Sequence, residues 1–188
     1  GSLVMFFVED KDFLTDEDKE VIEAAQNSDG LSYFYQRSFE PLFYEDLTHT
    51  LLCHVLFFRP EQRDEFNVKS IYNSDYSKVF EDMLYRFCNK NNITCTEVIR
   101  GAINLTYNNG QEKCLPHVDH SEYHKQLIIY LNDSQDKEAH TVIMDKDKKH
   151  ELKRIVPEKY KGVCFENLPH YQHYPRFGDR IVAIFTFK

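Results

Sequence analysis

The chain has 188 residues, 41% of them hydrophobic and 29% charged, which is enough for one domain with a full core. That balance excludes a disordered, collagen-like or membrane-spanning chain. Acidic residues exceed basic ones by 31 to 23, for a formal charge of −8, and this sign repels phosphate backbones and argues against nucleic acid as a partner.

Fifteen Phe and 12 Tyr stand against only 6 Gly, a composition that favours an aromatic core with strand tendency. The apolar run Leu3 to Val8 is too short for a secretory h-region or a membrane span, so no membrane association is expected. Thr15 with Asp18 three residues on resembles a capping box, and Val21, Ile22 and Ala25 supply an apolar face. A short helix is predicted there, ending at Asn27 to Gly30. Leu47, Leu51, Leu52, Val55 and Leu56 predict a second helix over Tyr44 to Phe58, with Pro60 just past its end. Tyr76, Val79, Phe80, Met83, Leu84, Phe87 and Cys88 repeat at three and four and predict a third. Cys53, Cys88, Cys95, Cys114 and Cys164 form no CxxC pair and read as reduced thiols of an intracellular, cytoplasmic protein.

Beyond Ile93 the period becomes that of strands: Glu97 to Tyr107, Cys114 to Asp119, Gln126 to Leu131, His140 to Met144, Ile155 to Val156, Gly162 to Phe165, Leu168 to Tyr174 and Arg180 to Phe187. Eight short strands separated by Asn-, Asp- and Gly-rich turns predict a jelly roll or related barrel. Helices over residues 1–92 and strands over 93–188 fit a single α+β domain in which the helices cover one face of the β core.

His117-Val118-Asp119 stands where a predicted strand ends. Residues two apart on a strand share a face, so this imidazole and carboxylate can converge on one metal ion. With nine His in the chain, a His-x-Asp triplet arises by chance roughly 0.7 times, so the triplet needs support. His170 opens one predicted strand and Arg180 the next, and both can face one cavity across the hairpin. Two His and one carboxylate leave open positions on a metal and suit non-haem Fe(II); a structural zinc takes four protein ligands, commonly thiolates. His173 is the alternative distal ligand, but it leaves only two residues of strand before the turn.

Over about half its length, from Glu97 to Lys188, the chain resembles the Fe(II)- and 2-oxoglutarate-dependent oxygenases, closest to their prolyl 4-hydroxylase branch. The resemblance rests on Pro116-His117-Val118-Asp119, the following strand Leu127-Ile128-Ile129-Tyr130-Leu131-Asn132-Asp133, the distal His170, and Arg180 ten residues on. It implies a double-stranded β-helix core and an iron held by His117, Asp119 and His170. It also implies 2-oxoglutarate with its distal carboxylate on Arg180, and O2 consumed as 2-oxoglutarate becomes succinate and a substrate is hydroxylated. Tyr107 and Tyr130 match tyrosines that line the co-substrate site in relatives. The chain departs from the family at Glu138-Ala139-His140-Thr141, where many members have Gly-Gly-x-Thr, and at Val182, where some carry serine. A peptidyl proline leads as substrate, with a free amino acid or other small metabolite close behind. The alternative is a non-catalytic, cupin-like jelly roll that binds a metal or a sugar, against which the retained Asp119 speaks.

Overall fold

The computed structural model describes residues 6–27, 30–37, 50–65 and 71–188. In chain order the elements are β1 (Phe7–Asp10), α1 (Asp16–Gln26), β2 (Phe34–Arg37), β3 (Thr50–Phe57), α2 (Pro60–Glu65), α3 (Ser77–Lys90), β4 (Val98–Tyr107), β5 (Lys125–Tyr130), β6 (Thr141–Met144), β7 (Glu151–Ile155), β8 (Gly162–Glu166), β9 (His170–Gln172) and β10 (Asp179–Phe187). A larger sheet runs β1-β8-β5-β10-β4-β3-β2 and a smaller one β7-β6-β9. All pairings are antiparallel. Two facing antiparallel sheets of this kind form a jelly roll.

Alternation along the strands gives each face of the larger sheet its own partner. Leu127 and Ile129 of β5, with Ala183 and Phe185 of β10, face outward into one cluster with Phe13, Ile22, Phe80, Met83, Leu84 and Phe87. Each such side chain contributes about 1.5–3 kcal/mol when fully buried. On the other face Ile128, Tyr130 and Val182 meet Ile143 of β6 and Ile155 of β7, which joins the two sheets. The site lies on this inner face.

The helix expected at Thr15 is α1, and its capping box is complete: Asp18 N–H donates to Thr15 Oγ1 (3.1 Å) and Thr15 N–H to Asp18 Oδ2 (2.9 Å). Asp18 also pairs with Arg86 of α3. The heptad-like stripe from Tyr76 becomes α3, which buries Phe80, Met83, Leu84, Phe87 and Cys88. Among the described residues no helix is long and apolar enough to cross a membrane.

Three expectations change. The helix over Tyr44 to Phe58 is replaced, within its described part, by β3, paired on both edges with β2 and β4; residues 44–49 lie outside the described residues. Its leucine spacing fits a helix, but Leu51 and Cys53 pack on Ala102, and pairing along both edges outweighs weak helix propensity. The N-terminal half is therefore not purely helical, since β1, β2 and β3 all join the larger sheet. Finally, Cys114 to Asp119 forms no strand. Pro116 cannot donate to a ladder, and the segment is tied to β9 only at points, through Cys114 N–H to Gln172 O (3.0 Å) and the reciprocal His117–His170 backbone pair (3.0 Å each way).

Candidate metal centre

His117 and Asp119 come from this irregular segment and His170 from β9, brought opposite one another by the His117–His170 backbone pair. The Nε2 of His117 is 3.7 Å from Asp119 Oδ1, and the Nε2 of His170 is 3.4 Å from Asp119 Oδ2. One ligand atom from each residue fits within a mutual distance of 4.8 Å, and no other such group occurs among the described residues. Nδ1 of His117 lies 2.9 Å from Leu115 O, and Nδ1 of His170 lies 2.9 Å from Leu168 O. A carbonyl can only accept, so both rings carry their proton on Nδ1 and leave an Nε2 lone pair for the centre of the cluster, as metal-ligating histidines do.

Asp119 Oδ2 is buried and receives no hydrogen bond; its approach to His170 is an ion-pair distance without hydrogen-bond geometry. A buried carboxylate oxygen in that state is costly unless a cation completes it. Burial works to raise the Asp119 pKa, yet His170, His117 and Arg100 together hold it well below the usual carboxylate range. Burial likewise opposes charging of both imidazoles, but Cys114 and Asp119 raise His117, and Asp119 raises His170. Two imidazoles and one carboxylate, with no thiolate in the cluster, fit a divalent iron with open positions.

The cluster sits in a cavity of about 510 Å³ that Arg180, Thr141 and Gln172 also line. Arg180 is 3% exposed. Its Nη1 donates to Gln172 Oε1 (2.5 Å) and its Nη2 to Thr141 Oγ1 (2.6 Å), while Nε has no acceptor. No carboxylate of the described residues pairs with it. Gln172, which holds the guanidinium, is two residues from His170 on β9, one strand repeat of about 7 Å along the backbone. That interval suits a short dicarboxylate with one end at the cluster and the other on Arg180.

Tyr130 is buried behind this arrangement. Its ring centroid is 5.4 Å from the Arg180 guanidinium and its hydroxyl shares a hydrogen bond with Thr141 Oγ1 (2.9 Å), so it supports Arg180 from outside the cavity lining. Tyr107 does not join the site. On β4 the residues that line the cavity are Arg100, Asn104 and Thr106, and alternation sends Tyr107 to the other face, where it is 43% exposed. Its distance from His117 in sequence carried no information about parity. His173 is also outside, its ring against His140 and Tyr171. Tyr174, two residues after Gln172, packs with Cys114 and Val142.

Sequence reasoning missed Arg59, Arg100, Asn104 and Gln126, all of which line the cavity. The signal was present on β4, where the apolar strand Val98–Tyr107 is interrupted by polar residues on one face, at Arg100, Asn104 and Thr106.

No protein-family model matches the chain, and no curated protein sequence does. Solved structures do. A 2OG-Fe(II) oxygenase family oxidoreductase from Burkholderia pseudomallei superposes with a TM-score of 0.71 at 12% identity, covering 97% of this chain and 84% of that one. A prolyl-4-hydroxylase from Pseudomonas putida gives 0.58 at 13% identity, covering 97% and 92%. A prolyl hydroxylase from Trichoplax adhaerens, in complex with a hypoxia inducible factor oxygen degradation domain peptide fragment, gives 0.59 at 14% identity, covering 96% and 83%. The chain has the jelly-roll fold of the 2-oxoglutarate- and Fe(II)-dependent oxygenases and resembles, among them, the prolyl 4-hydroxylases.

Proposed function

We propose that this chain is an Fe(II)- and 2-oxoglutarate-dependent dioxygenase that hydroxylates a small-molecule or peptide substrate. The observation that carries the reading is the coexistence, in one cavity, of a His-Asp-His cluster with both Nε2 atoms turned toward Asp119 and a buried arginine with no carboxylate partner among the described residues. His117, Asp119 and His170 would hold the iron, and Arg180 would hold the distal carboxylate of 2-oxoglutarate. When bound, these groups supply oxidation by O2, with 2-oxoglutarate leaving as succinate and carbon dioxide.

The chain's own contribution is positioning and charge. The carbonyls of Leu115 and Leu168 fix both rings, so metal binding requires no ring reorientation. Gln172 and Thr141 hold the Arg180 fork in one orientation, and a planar guanidinium can grip a carboxylate with two parallel bonds. Ile128 and Ile184 line the cavity beside these polar groups and lower the local dielectric, which strengthens both interactions. The peptide held by the Trichoplax protein supports a peptide as one substrate class, and the five free cysteines favour a reducing, cytoplasmic setting.

The test is anaerobic addition of Fe(II) and 2-oxoglutarate, read as a visible charge-transfer band, followed by succinate release when air is admitted. Both signals are expected. A chain that binds metal but gives neither band nor succinate is a binding module, and the proposal fails.

A further inference from the structure

Two further arginines, Arg59 and Arg100, line the same cavity as Arg180. Arg100 lies on the inward face of β4, paired in register with Thr186 of β10, whereas Thr106 pairs with Arg180. Six residues of strand, about 20 Å of backbone, separate the two ends. Arg59 follows Phe57, which pairs with Gly101, and so emerges beside Arg100 at the end of the cavity remote from Arg180. Arg100 has no hydrogen bond or ion pair among the described residues, and Arg59 reaches only Glu61, at 3.9 Å on the exposed rim. Burial, with the neighbouring Arg100 charge, pulls the Arg59 pKa down.

Arg100 has no counter-ion among the described residues and Arg59 only the rim carboxylate of Glu61, so the two like charges repel one another unless an anion joins them. The charge of Asp119 bears on both, but it belongs to the metal cluster. Among the described residues the lining carries Arg59, Arg100, Lys113 and Arg180 against Glu61, Glu65 and Asp119, a cationic excess inside a chain of net charge −8. Such a chain repels polyanions at long range while this pocket attracts one small anion. Farther along the same face of β4, Asn104 Oδ1 is buried without a donor, which calls for an N–H or O–H on the ligand. A carboxylate with an adjacent amino, amide or hydroxyl group meets both demands.

Building on the oxygenase reading, we infer that the substrate presents a carboxylate gripped by Arg59 and Arg100, with a neighbouring N–H or O–H on Asn104. The hydroxylated molecule is then a free amino or hydroxy acid, or a peptide taken at its C-terminal residue, and never an internal residue of a longer chain.

The experiment uses the full chain with Fe(II) and 2-oxoglutarate, and a panel of free L-amino acids, their carboxamides, and short proline-containing peptides with free or amidated C-termini. Two readouts are followed: a shift of the anaerobic charge-transfer band on adding each compound, and stimulation of succinate release in air. At least one free carboxylate should shift the band and stimulate, while its amide does neither; response to free acids or only to free C-termini identifies the source. Arg59→Gln and Arg100→Gln should keep the unshifted band and raise the concentration for half-maximal response ~10- to 100-fold, the loss of one charge-assisted bond. Should Arg100→Gln fail to fold, Arg59→Gln on the half-exposed rim carries the test. Amides responding as well as acids, no acid responding in the presence of the band, or variants responding like the wild type overturns the inference. A wild-type chain with no band refutes the oxygenase reading itself, a separate result.

Discussion

Arg180→Met separates a binding arginine from a structural one. Methionine keeps much of the length and removes the fork. The guanidinium is buried beside Tyr130, has an Nε without an acceptor, and among the described residues bonds only to Gln172 and Thr141. Its removal forfeits two hydrogen bonds but also relieves a buried, unpaired charge, and these terms oppose one another. The unliganded chain should therefore unfold within about 1 kcal/mol of the wild type. The effect on 2-oxoglutarate is one-sided. Two charge-assisted bonds to a carboxylate, at about 1.5–3 kcal/mol each, amount to a ~100- to ~10,000-fold rise in Kd. Arg180→Lys keeps the charge without the fork and should fall between the two. The assay is calorimetric titration of 2-oxoglutarate into the chain loaded with Mn(II), paired with urea unfolding without ligand. Unchanged 2-oxoglutarate affinity, together with a stability loss of several kcal/mol, would show that Arg180 is a strut for Gln172 and Thr141 and would refute the reasoning.

His170→Ala should lower metal affinity by orders of magnitude while His173→Ala changes it less than ~threefold, because only His170 faces Asp119; titration with Mn(II) or Co(II) decides, and the reverse order reassigns the ligand. Gly162→Ala should destabilise by about 1–3 kcal/mol in urea unfolding, because its new Cβ would stand 2.8 Å from the rings of Phe13 and Phe87, both fixed in the core; an unchanged midpoint would contradict that packing. Asp136, 2% exposed, accepts from the Arg176 backbone (2.8 Å) and guanidinium and from Glu138 N–H (3.1 Å), and the Arg176 side chain, against opposing burial, holds its carboxyl far below the usual range. A depressed folded pKa means that this stabilisation is fully present above the unfolded carboxyl pKa of about 4 and is lost as pH falls below it. Arg176 is largely solvent-exposed, so most of the effect comes from the bonds rather than the ion pair. Asp136→Asn should lose about 1–3 kcal/mol at neutral pH and show a flatter acid limb in stability against pH; parallel limbs would contradict the assignment.

The C-terminal half of the fold was legible because its strands alternate and its turns carry Gly and Asn, as at Gly178, whose positive φ of 70° leads into β10. The His-Asp-His cluster and Arg180 were legible for a different reason: the chemistry proposed for them restricts residue type and spacing, and His170 on β9 and Arg180 on β10 both reach the one cavity. β3 was misread because its leucines satisfy a helical stripe equally well, and the partners that decide the matter, β2 and β4, lie far away in sequence. Tyr107 was misplaced because separation along the chain does not fix strand parity; once Arg100, Asn104 and Thr106 are seen as the polar face of β4, its outward position follows. Arg59 escaped notice because it sits between β3 and α2, in a segment that only tertiary pairing brings to the cavity.

The most direct measurement is a crystal structure of the chain grown with Mn(II), a redox-inert stand-in for iron, and 2-oxoglutarate. It should show one metal ion bonded to the Nε2 atoms of His117 and His170 and to the Asp119 carboxylate, and the dicarboxylate reaching from that ion to Arg180. A metal held elsewhere, or a co-substrate that leaves Arg180 without an anion, would contradict the central claim.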